Sequence, residues 1–271
     1  MPPTSYLDAI LRSHRLNAAA DDRDLEALAA EAAGAPAPRP FTESLRREGY
    51  GGLPAVIAEV KRYSPSKGPI APDLDPASVA REYEAGGAAC LSVLTDQEFF
   101  AGSPADLVVA RAACGLPVLR KDFTVSAADV FDARIMGADA VLLIAAALDD
   151  AELAALRTLA GELEMAALVE IHDEDELARA VDAGAELVGV NQRDLFTFEV
   201  DTERAVRLVS RIPDGVLAVA ESGIAGPTDV HVLGDAGYTA ILVGESLLRA
   251  PDKRRAVESL ARRAGSAAGR A

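Results

Sequence analysis

Eight short apolar runs recur along the chain, and they constrain its fold more than any other feature. Each run is rich in Val, Ile, Leu and Ala and is continuous rather than alternating, which is typical of parallel strands buried on both faces. Stretches with helical spacing separate them, and several of these stretches end on a glycine that leads directly into the next run. The runs span residues 55–60, 88–94, 116–119, 139–147, 166–171, 186–190, 216–220 and 240–243.

Eight strand–helix units in one chain predict an α/β fold, a (β/α)8 TIM barrel. An open, doubly wound sheet is the competing architecture, but it usually has fewer strands, and no G-x-G-x-x-G sequence follows the first run. Residues 5–33 and 41–48 predict helices ahead of the first strand. We therefore predict one domain over residues 1–271, in which residues 1–50 form an N-terminal helical extension that packs on the barrel.

Charge and composition exclude several classes of function. The 271 residues include 27 Lys plus Arg against 43 Asp plus Glu, a net charge of -16, so the surface repels polyphosphate and we expect no nucleic-acid partner. The longest apolar run is far shorter than the roughly 20 residues of a membrane span, and the N-terminus has no signal-peptide pattern. We interpret Cys90 and Cys114 as buried thiols in a reducing compartment. These features predict a cytoplasmic protein without a membrane partner.

Lysine is rare in this chain, and its placement is informative. Only four of the 27 basic residues are lysines, and three of them, Lys61, Lys67 and Lys121, follow the first or third run. Active sites of such barrels lie at the C-terminal ends of the strands. An ammonium group can release a proton, whereas a guanidinium group cannot. The lysines therefore predict acid–base chemistry at this end of the barrel.

Further polar residues follow the other runs directly. Glu59 and Lys61 are two residues apart, so both point to one face of the first strand. Ion-paired filling of the barrel is the alternative interpretation, but buried pairs are costly and apolar residues would fill a core better. The remaining candidates at strand ends are Glu170, Asn191, Arg193 and Glu221.

The three histidines suggest no chemistry of their own. His172 lies two residues beyond Glu170 and is expected to face the barrel mouth without a chemical role. His14 and His231 fall on predicted helices, where we expect surface positions. We find no cluster with metal-ligand spacing and predict neither a metal nor a cofactor.

Small residues after the seventh and eighth runs predict a phosphate site. Ser222-Gly223 and Gly244-Glu245 stand where these barrels usually hold phosphate, because small residues let backbone N–H groups approach a dianion. Ser64 and Lys67, after the first run, are expected to close the other side. We expect the Glu245 carboxylate to turn away while its backbone binds. Tight turns without a ligand are the alternative.

Several motifs together resemble one family. The sequences at 57–61 with 64–68, 116–123, 168–172, 189–195, 220–224 and 243–249 resemble, in order, those of indole-3-glycerol phosphate synthase. The resemblance implies a carboxy-lyase of tryptophan biosynthesis without cofactor or metal, often monomeric. Its substrate is a small phosphorylated molecule, 1-(2-carboxyphenylamino)-1-deoxyribulose 5-phosphate. Ring closure, decarboxylation and dehydration convert it to indole-3-glycerol phosphate.

The resemblance also implies a role for each candidate residue. Lys121 would be the general acid at the substrate carbonyl, Glu170 its base or acid partner, and Lys61 a second acid that meets the substrate carboxylate. Glu59, Asn191 and Glu221 would position and polarise, and Arg193 would assist near the carboxylate or hold Asn191. The phosphate would be bound by Ser64, Ser222, Gly223, Gly244 and Glu245, the last two through their backbone. The aromatic ring would be enclosed by Phe100, Phe123, Leu142 and Leu195.

Three alternatives remain at this stage. A related phosphoribosyl-sugar isomerase barrel resembles users of a Cys or Asp acid–base pair, where this chain offers Glu and Lys. A Schiff-base aldolase would use Lys121 as a nucleophile, and borohydride would trap its adduct. A non-catalytic phosphate-binding barrel would not need the full set of acidic and basic residues.

Overall fold

The computed structural model, which describes residues 6–48, 52–194 and 198–261, confirms the (β/α)8 barrel. Eight parallel strands close in sequence order, because the first strand pairs with both the second and the last. The strands are β1 (Ala55–Val60), β2 (Cys90–Leu94), β3 (Val118–Lys121), β4 (Ala140–Ile144), β5 (Ala166–Ile171), β6 (Leu187–Asn191), β7 (Leu217–Glu221) and β8 (Ala240–Val243).

Three helices precede the barrel, and further helices connect or follow its strands. A short antiparallel hairpin lies in the loop after β1 and pairs Tyr63–Ser64 with Gly68–Pro69. Side-chain caps fix several helix starts; Asp149 and Glu152, for example, form a reciprocal capping box. The helices are α1 (Tyr6–Ala20), α2 (Leu25–Gly34), α3 (Phe41–Glu48), α4 (Pro76–Gly86), α5 (Pro104–Ala113), α6 (Ala127–Ile135), α7 (Asp150–Glu162), α8 (Glu174–Asp182), α9 (Arg204–Val209), α10 (Pro227–Ala236), α11 (Glu245–Arg249) and α12 (Lys253–Ala261).

Two predicted elements differ from the structure. The helix predicted over residues 5–33 is two helices, because Asp24 caps a new start by accepting the N–H of Glu26. The predicted strand 139–147 ends at Ile144, and residues 145–147 form a 3-10 turn instead. Residue 5, the first of the predicted helix, lies outside the described residues.

The strands divide the core into two layers. Alternate side chains such as Ile57 and Leu168 point into the barrel, while their neighbours pack against the surrounding helices. Phe41 and Leu45 of α3 join the interior layer and are almost fully buried. α3 closes one end of the barrel interior, and charged side chains occupy the other end, where the strands have their C-termini. The apolar layers therefore pack directly beneath these charged groups.

The segment before the barrel contacts it at several points. Leu28 and Ala32 of α2 pack on Ala128 and Phe131 of α6. Arg134 of α6 donates to the carbonyl oxygens of residues 35 and 36 at 3.0 and 2.8 Å. These contacts join the helices ahead of β1 to the outer face of the barrel.

The structure corrects one expectation about the cysteines. Neither cysteine forms a disulfide, but only Cys90 is buried, and Cys114 is half-buried at the end of α5. Within the described ranges, the helices are too short or too polar to cross a membrane.

Candidate active site

A cavity of about 510 Å³ opens at the C-terminal ends of the strands. The structure brings sixteen of the seventeen candidate residues into its lining; the remaining one, Leu195, lies outside the described residues. The sixteen are Glu59, Lys61, Ser64, Lys67, Phe100, Lys121, Phe123, Leu142, Glu170, Asn191, Arg193, Glu221, Ser222, Gly223, Gly244 and Glu245. The roles assigned to them remain predictions, whereas their convergence in one cavity is a finding.

Lys121, Glu170, Asn191 and Glu221, called here the acid–base cluster, lie at the ends of β3, β5, β6 and β7. The Nζ atom of Lys121 donates to Glu170 Oε2 at 2.6 Å and to Glu221 Oε2 at 3.0 Å. Asn191 Nδ2 donates to Glu170 Oε1 at 3.1 Å. The pairing of β6 with β7 places Asn191 opposite Glu221. Strand register therefore positions all four groups without any loop.

The acid–base cluster shifts the protonation of its own members. Burial lowers the pKa of Lys121, but the two carboxylates outweigh this effect and raise the pKa above its usual value. Burial raises the pKa of Glu170, yet Lys121 outweighs it and holds that pKa at about 2. For Glu221, burial and the neighbouring Glu170 prevail over Lys121, so its pKa rises to about 7. The ammonium is therefore retained, one carboxyl stays ionised, and the other holds a proton near neutral pH.

A second ion pair joins Lys61 to Glu59 beside the cluster. Glu59, on β1, is buried and extends toward Gly244, which directly follows β8. A Cβ at position 244 would overlap the carboxylate of Glu59, so a larger residue there would displace that side chain. Gly244, which was predicted only as a phosphate contact, therefore also makes room for Glu59.

Ser64, Lys67, Ser222, Gly223, Gly244 and Glu245, called here the serine–glycine rim, form another part of the cavity wall. Ser222 and Gly223 both have left-handed backbones, with φ of 63° and 72°. A Cβ at Gly223 would also lie 2.7 Å from Val200 Cγ1. The turn after β7 therefore depends on glycine at position 223 and holds Ser222 in a strained conformation.

Two charged residues of the rim behave differently. Glu245 pairs with Arg249 one helical turn away, at 3.1 Å, and both residues line the cavity. Lys67 is exposed on the hairpin loop and, within the described ranges, has no ion-pair partner. An unpaired ammonium at the rim is available to an anionic ligand.

The apolar wall and the segment before the barrel meet at the mouth. The Phe100 and Phe123 rings lie 6.2 Å apart, and the His14 ring of α1 lies 5.4 Å from Phe123. His14 Nε2 is 2.9 Å from Asp96 Oδ2, and its side chain is 18% exposed. His14, expected at the surface, is therefore only partly exposed, because its contact with the loop after β2 covers part of the ring.

His14, Asp96 and Asp122 are close enough to suggest a metal site, since one ligand atom of each lies within 4.8 Å of the others. Protein groups already bind both carboxylates. Asp96 accepts the N–H groups of Phe99 and Phe100, while Asp122 accepts from Thr95 and from Arg120. We assign the cluster to anchoring α1, because His14 contacts Asp96 and hydrogen bonds hold both carboxylates.

The sequence analysis missed Asp96, Arg249 and His14 at the mouth. Asp96 follows the second run by two residues, so a polar residue after a strand could have revealed it. Arg249 lies one helical turn beyond Glu245, a spacing that could have indicated their pairing. No local signal reveals His14, because its partners are 82 and more residues away.

The closed barrel and the charged groups at its strand ends define a class: (β/α)8-barrel proteins with a candidate active site at the C-terminal ends of the strands. The family model described as indole-3-glycerol phosphate synthase matches residues 7–260. The chain belongs to the indole-3-glycerol phosphate synthase family, whose members are carboxy-lyases of tryptophan biosynthesis. The resemblance of the strand-end motifs is thereby confirmed.

Relatives named indole-3-glycerol phosphate synthase match most of the chain. The protein of Aromatoleum aromaticum is 50% identical over 259 residues, covering 95% of this chain and 99% of its own. That of Polaromonas sp. is 54% identical over 214 residues, covering 79% and 81%.

Solved structures with low identity show the fold alone. A thiamine phosphate pyrophosphorylase from Pyrococcus furiosus aligns with a TM-score of 0.57 at 18% identity, covering 77% of this chain and 94% of its own. An N-acetylmannosamine-6-phosphate 2-epimerase from Clostridium perfringens aligns with a TM-score of 0.57 at 16% identity, covering 71% and 86%. Both support the barrel architecture.

Proposed function

We propose that this chain converts 1-(2-carboxyphenylamino)-1-deoxyribulose 5-phosphate to indole-3-glycerol phosphate, carbon dioxide and water by Lys/Glu acid–base catalysis. One observation carries the mechanism: the Lys121 ammonium lies in the cavity between Glu170 and Glu221. This arrangement keeps a proton donor and an ionised base within one hydrogen bond of each other.

In the proposed binding mode, the serine–glycine rim holds the phosphate and Lys67 adds charge. The small residues allow backbone N–H groups to approach the phosphate oxygens. Lys61 and Arg193 would meet the substrate carboxylate, and Phe100, Phe123 and Leu142 would enclose the aromatic ring. An anionic substrate thus finds local cations inside a protein of net charge -16.

Ring closure begins when the ring carbon that bears the carboxylate attacks the ketone carbon. Negative charge develops on the ketone oxygen, and Lys121 stabilises it and donates a proton. A raised lysine pKa does not prevent this transfer, because an alkoxide is more basic than an amine. Asn191 and Glu221 hold the donor and its partner in place.

Loss of carbon dioxide then restores the aromatic ring. Dehydration follows, in which the new hydroxyl leaves as water with a proton from Lys61, and Glu170 removes a proton from the adjacent CH2 carbon. Glu59 pairs with Lys61 and thereby orients this second acid. Each acid or base contributes about 10²–10⁴-fold to the rate.

The charge state of Lys121 argues against the aldolase alternative. A Schiff-base lysine must be a neutral amine to attack a carbonyl, whereas Glu170 and Glu221 hold Lys121 as ammonium. Borohydride added with substrate should therefore leave Lys121 unmodified. The isomerase and non-catalytic alternatives have no specific observation in their favour.

The decisive experiment follows indole fluorescence after substrate is added to the purified full-length protein. Wild type should turn over, and Lys121→Ala should lose at least about 10²-fold in kcat. An active Lys121→Ala variant would move the essential acid to Lys61. A folded wild type without turnover would contradict the proposal.

The organisation of the protein is also part of this proposal. We propose that residues 1–271 act as one domain, that residues 1–50 are its extension, and that the chain is a cytoplasmic monomer. Contacts of α1, α2 and α3 with the barrel support a single domain. Light scattering on the purified protein tests the monomer, since a dimer would double the measured mass.

A further inference from the structure

His172, which had no predicted chemical role, lies next to the acid–base cluster. Its Nδ1 atom is 3.0 Å from Glu176 Oε2, and the same oxygen accepts the His172 backbone N–H at 2.8 Å. Its other ring nitrogen, Nε2, is 3.8 Å from Glu170 Oε1. Nε2 is buried and has no hydrogen-bond partner among the residues that the structure describes.

The contact with Glu176 restricts the chemistry of the ring. A carboxylate accepts only, so Nδ1 carries its hydrogen toward Glu176. In the neutral ring, Nε2 would then carry a lone pair 3.8 Å from the Glu170 carboxylate, which is unfavourable. In the protonated ring, the positive charge at the same distance would attract that carboxylate. The geometry therefore favours the imidazolium.

The charged groups around the His172 ring also favour its protonated form. Glu170 faces it from β5 and Glu176 from α8, while Arg204 of α9 is the opposing cation. Burial lowers the pKa of His172, but its bond to Glu176 and the charge of Glu170 outweigh burial and Arg204, so the pKa is raised.

We propose that His172 is a positioning residue for Glu170: oriented by Glu176, it places a positive charge beside Oε1 and keeps the carboxylate ionised and in place. This inference rests on the proposed function, in which Glu170 is the base. Lys121 becomes neutral once it has given its proton to the substrate. The buried Glu170 carboxylate would then have no positive charge from Lys121 beside it. His172 is the cation that still faces it at this step.

A purely structural role is the competing interpretation. The bond from His172 to Glu176 also fixes the start of α8, where Asp173 is the N-cap. His172→Asn separates the two roles, because an amide nitrogen at the Nδ1 position keeps the bond to Glu176 while Nε2 is lost. Asp173→Asn is the matched control, since it removes an acidic charge from the same turn and retains a capping oxygen.

The first test is independent of turnover. The chain has three histidines, so imidazole NMR signals can be assigned by replacing each one. In wild type we expect the pKa of His172 to lie above the usual histidine value. In Glu170→Gln and in Glu176→Gln it should lie about one unit or more below the wild-type pKa. A His172 pKa at or below the usual value in wild type, or one unchanged in Glu170→Gln, would overturn the proposal.

The second test measures kcat and KM against pH in the full-length protein. In wild type, kcat should fall as pH rises through the pKa found by NMR. His172→Asn should lower kcat about tenfold with little change in KM and should lose this inflection, while Asp173→Asn should retain it. Loss of kcat with an unchanged pH profile, or an equal effect of both variants, would assign a structural role and refute the inference.

The two tests distinguish this inference from the proposed function. Without turnover by wild type, the proposed function fails, and the NMR titration still decides whether His172 and Glu170 are coupled. With turnover by wild type, a His172→Asn variant that matches wild type at every pH removes the inference alone.

Discussion

Two parts of the same cavity are constructed differently. In the acid–base cluster, charged side chains on the strand ends contact one another and are nearly closed to solvent. In the serine–glycine rim, small residues and loop backbone form the wall, and the one lysine has no ion-pair partner in the described part of the chain. The cluster is therefore complete before substrate arrives, whereas the rim is completed by the ligand.

This difference predicts which kinetic parameter each part controls. Removing a group whose interactions strengthen only in the transition state lowers kcat. Removing a group that binds substrate and transition state equally raises KM. Variants of the cluster should therefore act on kcat, and variants of the rim on KM.

The largest effect is expected from Lys121→Met. Methionine fills a similar volume but can neither donate a proton nor compensate Glu170 and Glu221, so kcat should fall about 10³-fold. KM should change little. Stopped-flow indole fluorescence measures both. Lys253→Met, on α12, is the matched control and should retain wild-type rates; a high KM with unchanged kcat in Lys121→Met would contradict the comparison.

A smaller effect is expected from Gly223→Ala. A left-handed alanine costs about 1–2 kcal/mol, and its Cβ would also press on Val200. We expect KM to rise about 30-fold and the melting temperature to fall. Gly161→Ala, in the open last turn of α7, is the control and should be neutral or stabilising. Equal kinetics in both variants would mean that the turn after β7 does not bind the ligand.

Lys67→Ala should have a milder effect. The ammonium is exposed, so its loss should weaken phosphate binding by about 1 kcal/mol, which corresponds to a KM increase of five- to tenfold with unchanged kcat. Steady-state kinetics at two salt concentrations provide the measurement. Lys67→Arg retains the charge and should stay near wild type. A fall in kcat instead would place Lys67 with the acid–base cluster.

The smallest effect concerns stability. Burial raises the pKa of Glu221 to about 7, so between its usual pKa and that value the folded protein holds a proton that the unfolded chain has lost. The free energy of unfolding must then decrease as pH rises through this window.

We expect Glu221→Gln, which is neutral at every pH, to lose this decrease, a difference on the order of 1 kcal/mol between pH 5 and pH 8. Urea denaturation at several pH values measures it, with the exposed Glu162→Gln as control. Identical pH slopes for wild type and Glu221→Gln would show that the cluster does not store a proton on this carboxyl.

The acid–base cluster was predictable from sequence because its positions follow from strand periodicity. Lys121, Glu170 and Glu221 each end an apolar run, and parallel strands bring their ends to one mouth. The pairing within the cluster was not predictable, because it depends on side-chain direction across neighbouring strands. The close approach of Gly244 to the Glu59 side chain could not be predicted for the same reason.

Contacts between distant segments were the least predictable. His14 meets Asp96 and Arg15 meets Glu152 across 82 and 137 residues, and no local pattern encodes such pairings. The break between α1 and α2 was missed because helical spacing continues across it, while the Asp24 cap acts locally. For His172, the sequence showed a residue near Glu170 but not which nitrogen faces it.

The helices ahead of β1 have a consequence for the order of assembly. Phe41 and Leu45 occupy the interior at one end of the barrel, and His14 anchors α1 at the other end. Synthesis produces these helices before the barrel, yet their partners come from strands and loops made much later. Closing such long loops is entropically costly, so these helices must wait for the barrel. Although they are synthesised before the barrel, these helices should therefore be among the last segments to acquire their native contacts.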